Sequence, residues 1–199
     1  CSSDLEFRKA HAAPRCTQIV GDDAGTIDVV ELVEDEPFLV TVTARGYVRA
    51  VPARARGARS SRVTERDAVA EVLETTALAG LLFFSDRGRA YRAVVHDLPR
   101  DRLTAVQNLF QLADGEHIVA IVDPRLHEEH PNLVFVTAAG GVKRTALAEF
   151  TEVSGRQSGI VAMKLADDDA IVSVFPGWEE YEILVVTAGG QAIRFAEAE

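Results

Sequence analysis

An all-β fold of stacked hairpins follows from three features of this 199-residue sequence. One motif, an apolar run ending in a hydroxyl residue with a glycine three positions on, occurs four times. The runs ahead of each glycine are rich in β-branched and aromatic residues, which favour strands. After residue 36 no stretch carries the apolar period of a convincing amphipathic helix.

The four copies are Val40–Ala50, Leu82–Arg92, Val134–Arg144 and Leu184–Arg194. In each, the hydroxyl residue (Thr43, Ser85, Thr137, Thr187) lies three before the glycine (Gly46, Gly88, Gly140, Gly190). Arg92, Arg144 and Arg194 fall four after it, whereas the first copy has Ala50 there and Arg49 one earlier. The glycines recur about every 40 to 50 residues, a propeller-type period. The turns Ala44-Arg45-Gly46, Asp86-Arg87-Gly88, Ala138-Ala139-Gly140 and Ala188-Gly189-Gly190 place glycine where a three-residue hairpin loop needs positive φ. An isolated hairpin is marginal in water, so each must stack on its neighbours. Radial stacking of small sheets into a propeller-like disc achieves this. Further strands are expected at 69–73, 118–122, 159–163 and 170–174, next to Gly- or Asp-rich turns. Three segments result. Residues 1–15 read as the end of a helix closed by Pro14 or as a cloning remnant, 16–35 as a linker, and 36–199 as the repeat domain.

Composition is that of a globular chain, 47% hydrophobic and 26% charged, with no apolar run long enough for a bilayer. Met163 is the only methionine, so the chain is expected to be part of a longer protein. Cys1 and Cys16 form no CxxC pair and read as reduced thiols. The net charge of −10 alone argues against a nucleic-acid partner. Its distribution softens that argument. Acids gather at 31–36, at Asp167-Asp168-Asp169 and at Glu197 and Glu199, while cations ride on the repeats.

Enzymatic chemistry finds little support. His127-Glu128-Glu129-His130 offers metal-ligand types but sits between Pro124 and Pro131 with no helix signal, and reads as a polar loop. Tyr47 and Tyr91 are hairpin residues with ordinary strand roles, and no Walker-type loop is present. Trp178 reads as a packing residue in a connector.

At the hairpins the sequence resembles the A subunits of bacterial type IIA DNA topoisomerases, gyrase and topoisomerase IV. The match is carried by Gly46-Tyr47-Val48-Arg49, Leu81–Arg92, Gly141-Val142-Lys143-Arg144 and Gln191–Phe195, with the connectors His96–Pro99 and Ser158–Leu165. Pro14–Ile19 resembles the end of the family's coiled-coil region. The likeness runs through nearly the whole chain in fixed order.

The resemblance implies a β-pinwheel of which about four of six blades are present, wrapping double-stranded DNA on a basic rim. It also implies a cytoplasmic, nucleoid-associated setting with two protein partners: an ATPase B subunit in an A2B2 complex, and the cleavage core of the same A subunit. The fragment is expected to be non-catalytic and to hold no cofactor or metal, ATP and magnesium being used elsewhere in the parent enzyme. Repeat-borne DNA contacts are expected from Arg49, Arg89, Arg92, Lys143, Arg144 and Arg194, with Arg45 and Arg87 in the turns. One departure stands out. Gyrases carry a box of the form Q-R-R-G-G-R-G after the first repeat; here Ala53–Arg62 supplies only Arg54, Arg56, Arg59 and Arg62. That leaves a weakly wrapping topoisomerase IV or paralogue as an alternative, and a protein-binding scaffold as another. Neutralising Asp167, Asp168 and Asp169 is expected to tighten DNA binding.

Overall fold

The computed structural model describes residues 33–55, 67–125, 130–150, 158–178 and 180–197. The expected helix end, most of the linker and the segment bearing Arg56, Arg59 and Arg62 lie outside these residues. In chain order the strands are β1 (Pro37–Thr43), β2 (Tyr47–Pro52), β3 (Val69–Thr76), β4 (Gly80–Ser85), β5 (Arg89–Val94), β6 (Thr104–Ala105) and β7 (Ile118–Val122). There follow β8 (Asn132–Thr137), β9 (Val142–Ala146), β10 (Ile160–Val161), β11 (Ile171–Gly177), β12 (Glu182–Val186) and β13 (Ala192–Ala196). Short 3-10 turns at Val95–Asp97, Val106–Asn108 and Leu147–Phe150 join them.

The strands form four antiparallel sheets, each centred on one expected hairpin: β3-β1-β2-β6, β10-β5-β4-β7, β11-β8-β9 and β12-β13. The fold is all-β, as the sequence predicts. Two short strands cross between repeats. β6 follows the second hairpin in the chain yet pairs with β2 of the first, Tyr47 opposite Ala105 and Val48 opposite Thr104. β10 follows the third hairpin yet pairs with β5 of the second, Ile160 opposite Ala90 and Val161 opposite Arg89. Each crossing laces one blade to the next. Periodicity cannot reveal a two-residue strand, so β6 is absent from the sequence reading, and the strand expected at 159–163 shrinks to Ile160–Val161.

All four turn glycines have positive φ: Gly46 at 75°, Gly88 at 74°, Gly140 at 88° and Gly190 at 79°. The repeated hydroxyl has a reason that the sequence hid. It accepts the N–H of the residue after the glycine: Tyr47 to Thr43 Oγ1 at 3.2 Å, Arg89 to Ser85 Oγ at 3.2 Å, Gly141 to Thr137 Oγ1 at 3.0 Å and Gln191 to Thr187 Oγ1 at 3.2 Å. The hydroxyl therefore satisfies a backbone donor that the bulge removes from the ladder.

Blade stacking explains the composition of β4, whose residues are all buried. Side chains alternate across a strand. Leu81 and Phe83 enter a core with Phe38, Val40, Val48 and Phe110 of the first blade side. Leu82 and Phe84 enter another with Leu133, Phe135, Leu147 and Phe150. A strand buried on both faces loses the apolar–polar alternation and reads as a continuous apolar run. Phe84 meets Phe135 and Phe150 edge-on at ring distances of 5.4 and 5.3 Å, locking the second blade to the third.

A polar cluster ties the outer strands of the first two blades together. Arg125 Nε donates to both Asp123 carboxylate oxygens at 2.9 Å, and its other nitrogens donate to Thr76 Oγ1 at 2.9 Å and Thr75 Oγ1 at 2.7 Å. Burial pushes the Asp123 carboxyl up, but the hydrogen bonds from Arg125 and Thr75 outweigh it and hold it below the ordinary 3.8. A depressed folded-state value stabilises the fold above the unfolded value and loses that contribution as pH falls through the lower one. Asp123→Asn should therefore cost about 1–3 kcal/mol at neutral pH. It should also flatten the fall of Tm seen on acidification below 3.8. Thermal melts across that range check both.

Candidate nucleic-acid interface

The hairpin registers decide where each cation points. The position four after the turn glycine lies opposite the same residue of the first strand in each blade: Arg92 opposite Leu82, Arg144 opposite Val134, Arg194 opposite Leu184, and Ala50 opposite Val40. The position three after it holds Arg49 opposite Thr41 and Lys143 opposite Phe135, with Tyr91 and Ile193 in the other two blades. Neighbouring positions on a strand face opposite ways. The repeat-borne cations therefore form two rows rather than the single edge that the sequence suggests. Arg92, Arg144 and Arg194 make one; Arg49 and Lys143 share the other face, with Arg89 two residues before the corresponding position.

The rows differ in freedom. Lys143, Arg144 and Arg194 are exposed, as are the turn residues Arg45 and Arg87 and the connector residue Arg54. Arg49, Arg89 and Arg92 are half-buried. Arg49 Nε is buried without a hydrogen-bond partner among the described residues. Arg89 donates to the Ser158 carbonyl, which anchors the segment leading into β10. Arg92 lies on the Gly80 backbone, where an added methyl would stand 2.5 Å from its Nε. Lys143 Nζ donates to the Ala162 carbonyl at 3.1 Å. Two exposed cations are paired with acids at 3.5 Å, Arg54 with Glu36 and Arg194 with Glu182. Lys143 and Arg144 line a cleft of about 580 Å³ between the third and fourth sheets, together with Val134, Val142, Ile183, Phe195 and the acid Glu197.

The structure adds a cation that the repeat pattern missed. The Ala50 N–H donates to the Pro99 carbonyl at 2.9 Å. Arg100, the next residue, is exposed, stands 5.1 Å from the Phe38 ring and donates to the His96 carbonyl at 3.3 Å. A cation from the connector thus stands beside the place where the first copy lacks its arginine. The run Pro99-Arg100-Asp101-Arg102 was its only signal.

The acids also sort by role. Asp169 Oδ1 accepts the N–H groups of Ala139 and Ala170 at 2.9 Å, and Asp67 Oδ1 accepts those of Arg45 and Ala68 at 3.2 and 2.9 Å. Both brace a hairpin turn from the adjoining outer strand. The hydrogen bond from Ala139, with that of Thr137, holds the Asp169 carboxyl below its ordinary value. Asp167 and Asp168 are exposed. Replacing all three mixes a charge effect with loss of a turn brace. Asp169→Ala alone should lower Tm and speed amide exchange at Ala139, while Asp167→Asn should leave both unchanged; hydrogen-exchange NMR separates the two.

In the second blade the equivalent position is Glu116, only 1% exposed. Its carboxylate accepts the Tyr91 hydroxyl at 2.9 Å and the Ala113 N–H at 2.7 Å. Burial, then the Glu116 hydrogen bond and charge, push the Tyr91 phenol up to about 12. Tyr91 is fully buried and neutral, which keeps it from a phosphodiester. His127 lies outside the described residues; His130 packs edge-on against Trp178 at 4.3 Å. Among the described residues no three His, Cys, Asp or Glu side chains gather as a metal site, and no helix is long and apolar enough to cross a membrane.

The sequence profile of the family described as the DNA gyrase C-terminal domain, beta-propeller, matches residues 81–122, 131–176 and 181–199. The matched segments take in the second, third and fourth hairpins. Among sequence relatives, the DNA gyrase A subunit of Streptococcus pyogenes serotype M1 is 32% identical over 206 residues, covering 97% of this chain and 25% of the relative. That of Salmonella typhimurium is 34% identical over 195 residues, covering 92% of this chain and 22% of the relative. The chain spans about a quarter of the length of these relatives. Among solved structures, the C-terminal domain of DNA topoisomerase IV superposes with a TM-score of 0.74 at 27% identity, over 83% of this chain and 53% of that one. The Escherichia coli ParC C-terminal domain superposes at 0.68 and 16% identity, over 82% of this chain and 66% of that one, a likeness of fold alone.

Proposed function

The chain belongs to the DNA gyrase C-terminal beta-propeller family, and from that premise we propose that it binds and bends double-stranded DNA for a type IIA topoisomerase. In this reading it presents a DNA segment to the cleavage core of its own parent chain, for strand passage powered by an ATPase partner. One observation carries the reading. Arg92, Arg144 and Arg194 occupy one register position in successive blades. Blades related by rotation carry such a position round at similar radius, which gives a curved basic track despite a net charge of −10.

Curvature and charge suit wrapping rather than base reading. Bending 20–30 base pairs costs roughly 1–6 kcal/mol, more than one or two exposed arginines repay. A row repeated in the second, third and fourth blades, extended by Arg100 and by the turn residues Arg45 and Arg87, spreads the cost over several phosphates. Arginine suits the task because its planar fork holds two phosphate oxygens at once. The departure at Ala53–Arg62 favours weaker wrapping than a full box would give.

The test is duplex binding by fluorescence anisotropy over a salt series, followed by ligation of nicked plasmid with the protein bound. A steep loss of affinity with salt, together with a shift in linking number, supports wrapping. No binding at low salt would leave the protein-scaffold reading in its place.

A further inference from the structure

We infer that Arg100, a connector residue outside the repeat, is the first blade's phosphate-binding cation, and that the buried Phe38 ring positions it. The inference rests on the DNA-binding reading and adds to it how each blade seats its cation. In every hairpin one residue of the first strand lies two before the register partner of the repeat-arginine position, and so on the same face. These residues are Phe38, Gly80, Asn132 and Glu182, opposite Pro52, Val94, Ala146 and Ala196. Such a diagonal neighbour is within reach of a long side chain. At three of them the structure places a guanidinium. Arg92 lies on Gly80, and Arg194 pairs with Glu182 at 3.5 Å. On Phe38 the guanidinium is that of Arg100, its carbon 5.1 Å from the ring centroid. In the first blade the seat is therefore filled from the connector instead of from β2.

Volume explains the exchange. A methyl added at Gly80 would stand 2.5 Å from Arg92 Nε, so a side chain there and an arginine across the strand compete for one space. The second blade keeps the arginine over bare backbone. The first blade has the reverse arrangement, a buried phenyl ring at the seat and the buried Ala50 across from it. The ring offers its face to a cation, an attraction that operates within about 6 Å of the centroid.

Backbone ties bring Arg100 to that face. The turn at Val95–Asp97 hangs from the segment ahead of β4 by the N–H groups of Val95 on Ala79 and His96 on Ala77, both at 2.9 Å. Pro99 then accepts the Ala50 N–H at 2.9 Å, and the Arg100 side chain donates to the His96 carbonyl at 3.3 Å. Even so, Arg100 is exposed, whereas Arg92 is half-buried. A guanidinium stacked on a ring keeps the donors along its edge for phosphate oxygens.

The test is a duplex-binding salt series on the full chain and its variants. Arg100→Gln should weaken binding about 3- to 10-fold and reduce the slope of log K against log salt by about 0.9, the share of one phosphate. Arg102→Gln, at an exposed cation two residues on, should leave the slope in place. Phe38→Leu keeps an apolar side chain but removes the ring. It should reduce the slope when Arg100 is present and change it no further once Arg100 is Gln, while its effect on Tm persists in both backgrounds. A merely structural role for Phe38 would not produce that coupling. An unchanged slope for Arg100→Gln, alongside a reduced one for Arg144→Gln, overturns the inference and leaves the DNA-binding reading standing. An equal loss from Arg102→Gln, or a Phe38→Leu effect on the slope that adds to that of Arg100→Gln, overturns it as well. No duplex binding by the unaltered chain at low salt removes the DNA-binding reading and the inference together.

Discussion

Gly88→Ala should destabilise the domain by about 3–4 kcal/mol, at least twice the loss at the matching glycine of the third blade. Two costs add there. The backbone sits at φ +74, where a Cβ is penalised by roughly 1–2 kcal/mol. The new methyl would also stand 2.2 Å from the Met163 carbonyl oxygen, a backbone atom that cannot swing aside. That carbonyl belongs to the segment following β10, which hangs from the Gly88 carbonyl through the N–H groups of Ala162 at 2.8 Å and Met163 at 3.1 Å. Pushing the segment away breaks both bonds, at about 1 kcal/mol each, and loosens the lacing of the third repeat onto the second blade. Gly140 is the control. Its φ is +88 but nothing among the described residues lies within 4 Å of its added methyl, so only the conformational cost remains. Urea titration of the two variants measures the difference. Equal losses would mean that the lacing contributes nothing beyond the turn.

That contrast also marks how far the sequence could be read. The four turns were legible because a hydroxyl and a glycine three residues on form a local pattern, fixed by hydrogen bonds within five residues. The stacking order was legible in β4, where Leu81, Leu82, Phe83 and Phe84 allow no exposed face. The lacing was not. β6 and β10 pair over two residues each, and their partners lie a whole repeat away, so neither period nor propensity betrays them. The same holds for the buried polar groups. Asp123 and Arg125 sit two apart in a connector and meet Thr75 and Thr76 of another blade; Glu116 looks like a turn acid until Tyr91 arrives from β5. At the candidate interface the sequence reading noted that Arg49 sits one residue off the Arg92 position but still set all the repeat-borne cations on one edge, although one residue along a strand reverses the direction of the side chain. It passed over Arg100, which stands beside the gap on a connector, and read Trp178 as a packing residue, whereas its ring packs edge-on against His130 and stays 47% exposed.

The second large effect concerns the exposed cations of the third and fourth blades. Replacing Arg144 and Arg194 together by Gln should lower duplex affinity about 10- to 100-fold and reduce the slope of log K against log salt by about 1.8, close to one unit per lost phosphate contact. Both are exposed and neither belongs to the buried cores, so the fold should survive the change. Half-buried Arg92 is left intact because its guanidinium packs on Gly80 and its loss would confuse binding with stability. Glu182→Gln supplies the opposite perturbation. It releases Arg194 from an ion pair of 3.5 Å, and a freed cation on the track should strengthen binding and steepen the slope. Because counterion release counts phosphate contacts rather than bulk charge, the two variants separate a local track from a general field effect. A domain bound only by long-range attraction would respond to Arg54→Gln, which removes a cation of the same sign held by Glu36, as strongly as to Arg194→Gln. On the track model Arg194 shifts the slope and Arg54 leaves it in place, and an anisotropy salt series on the two single variants decides between them.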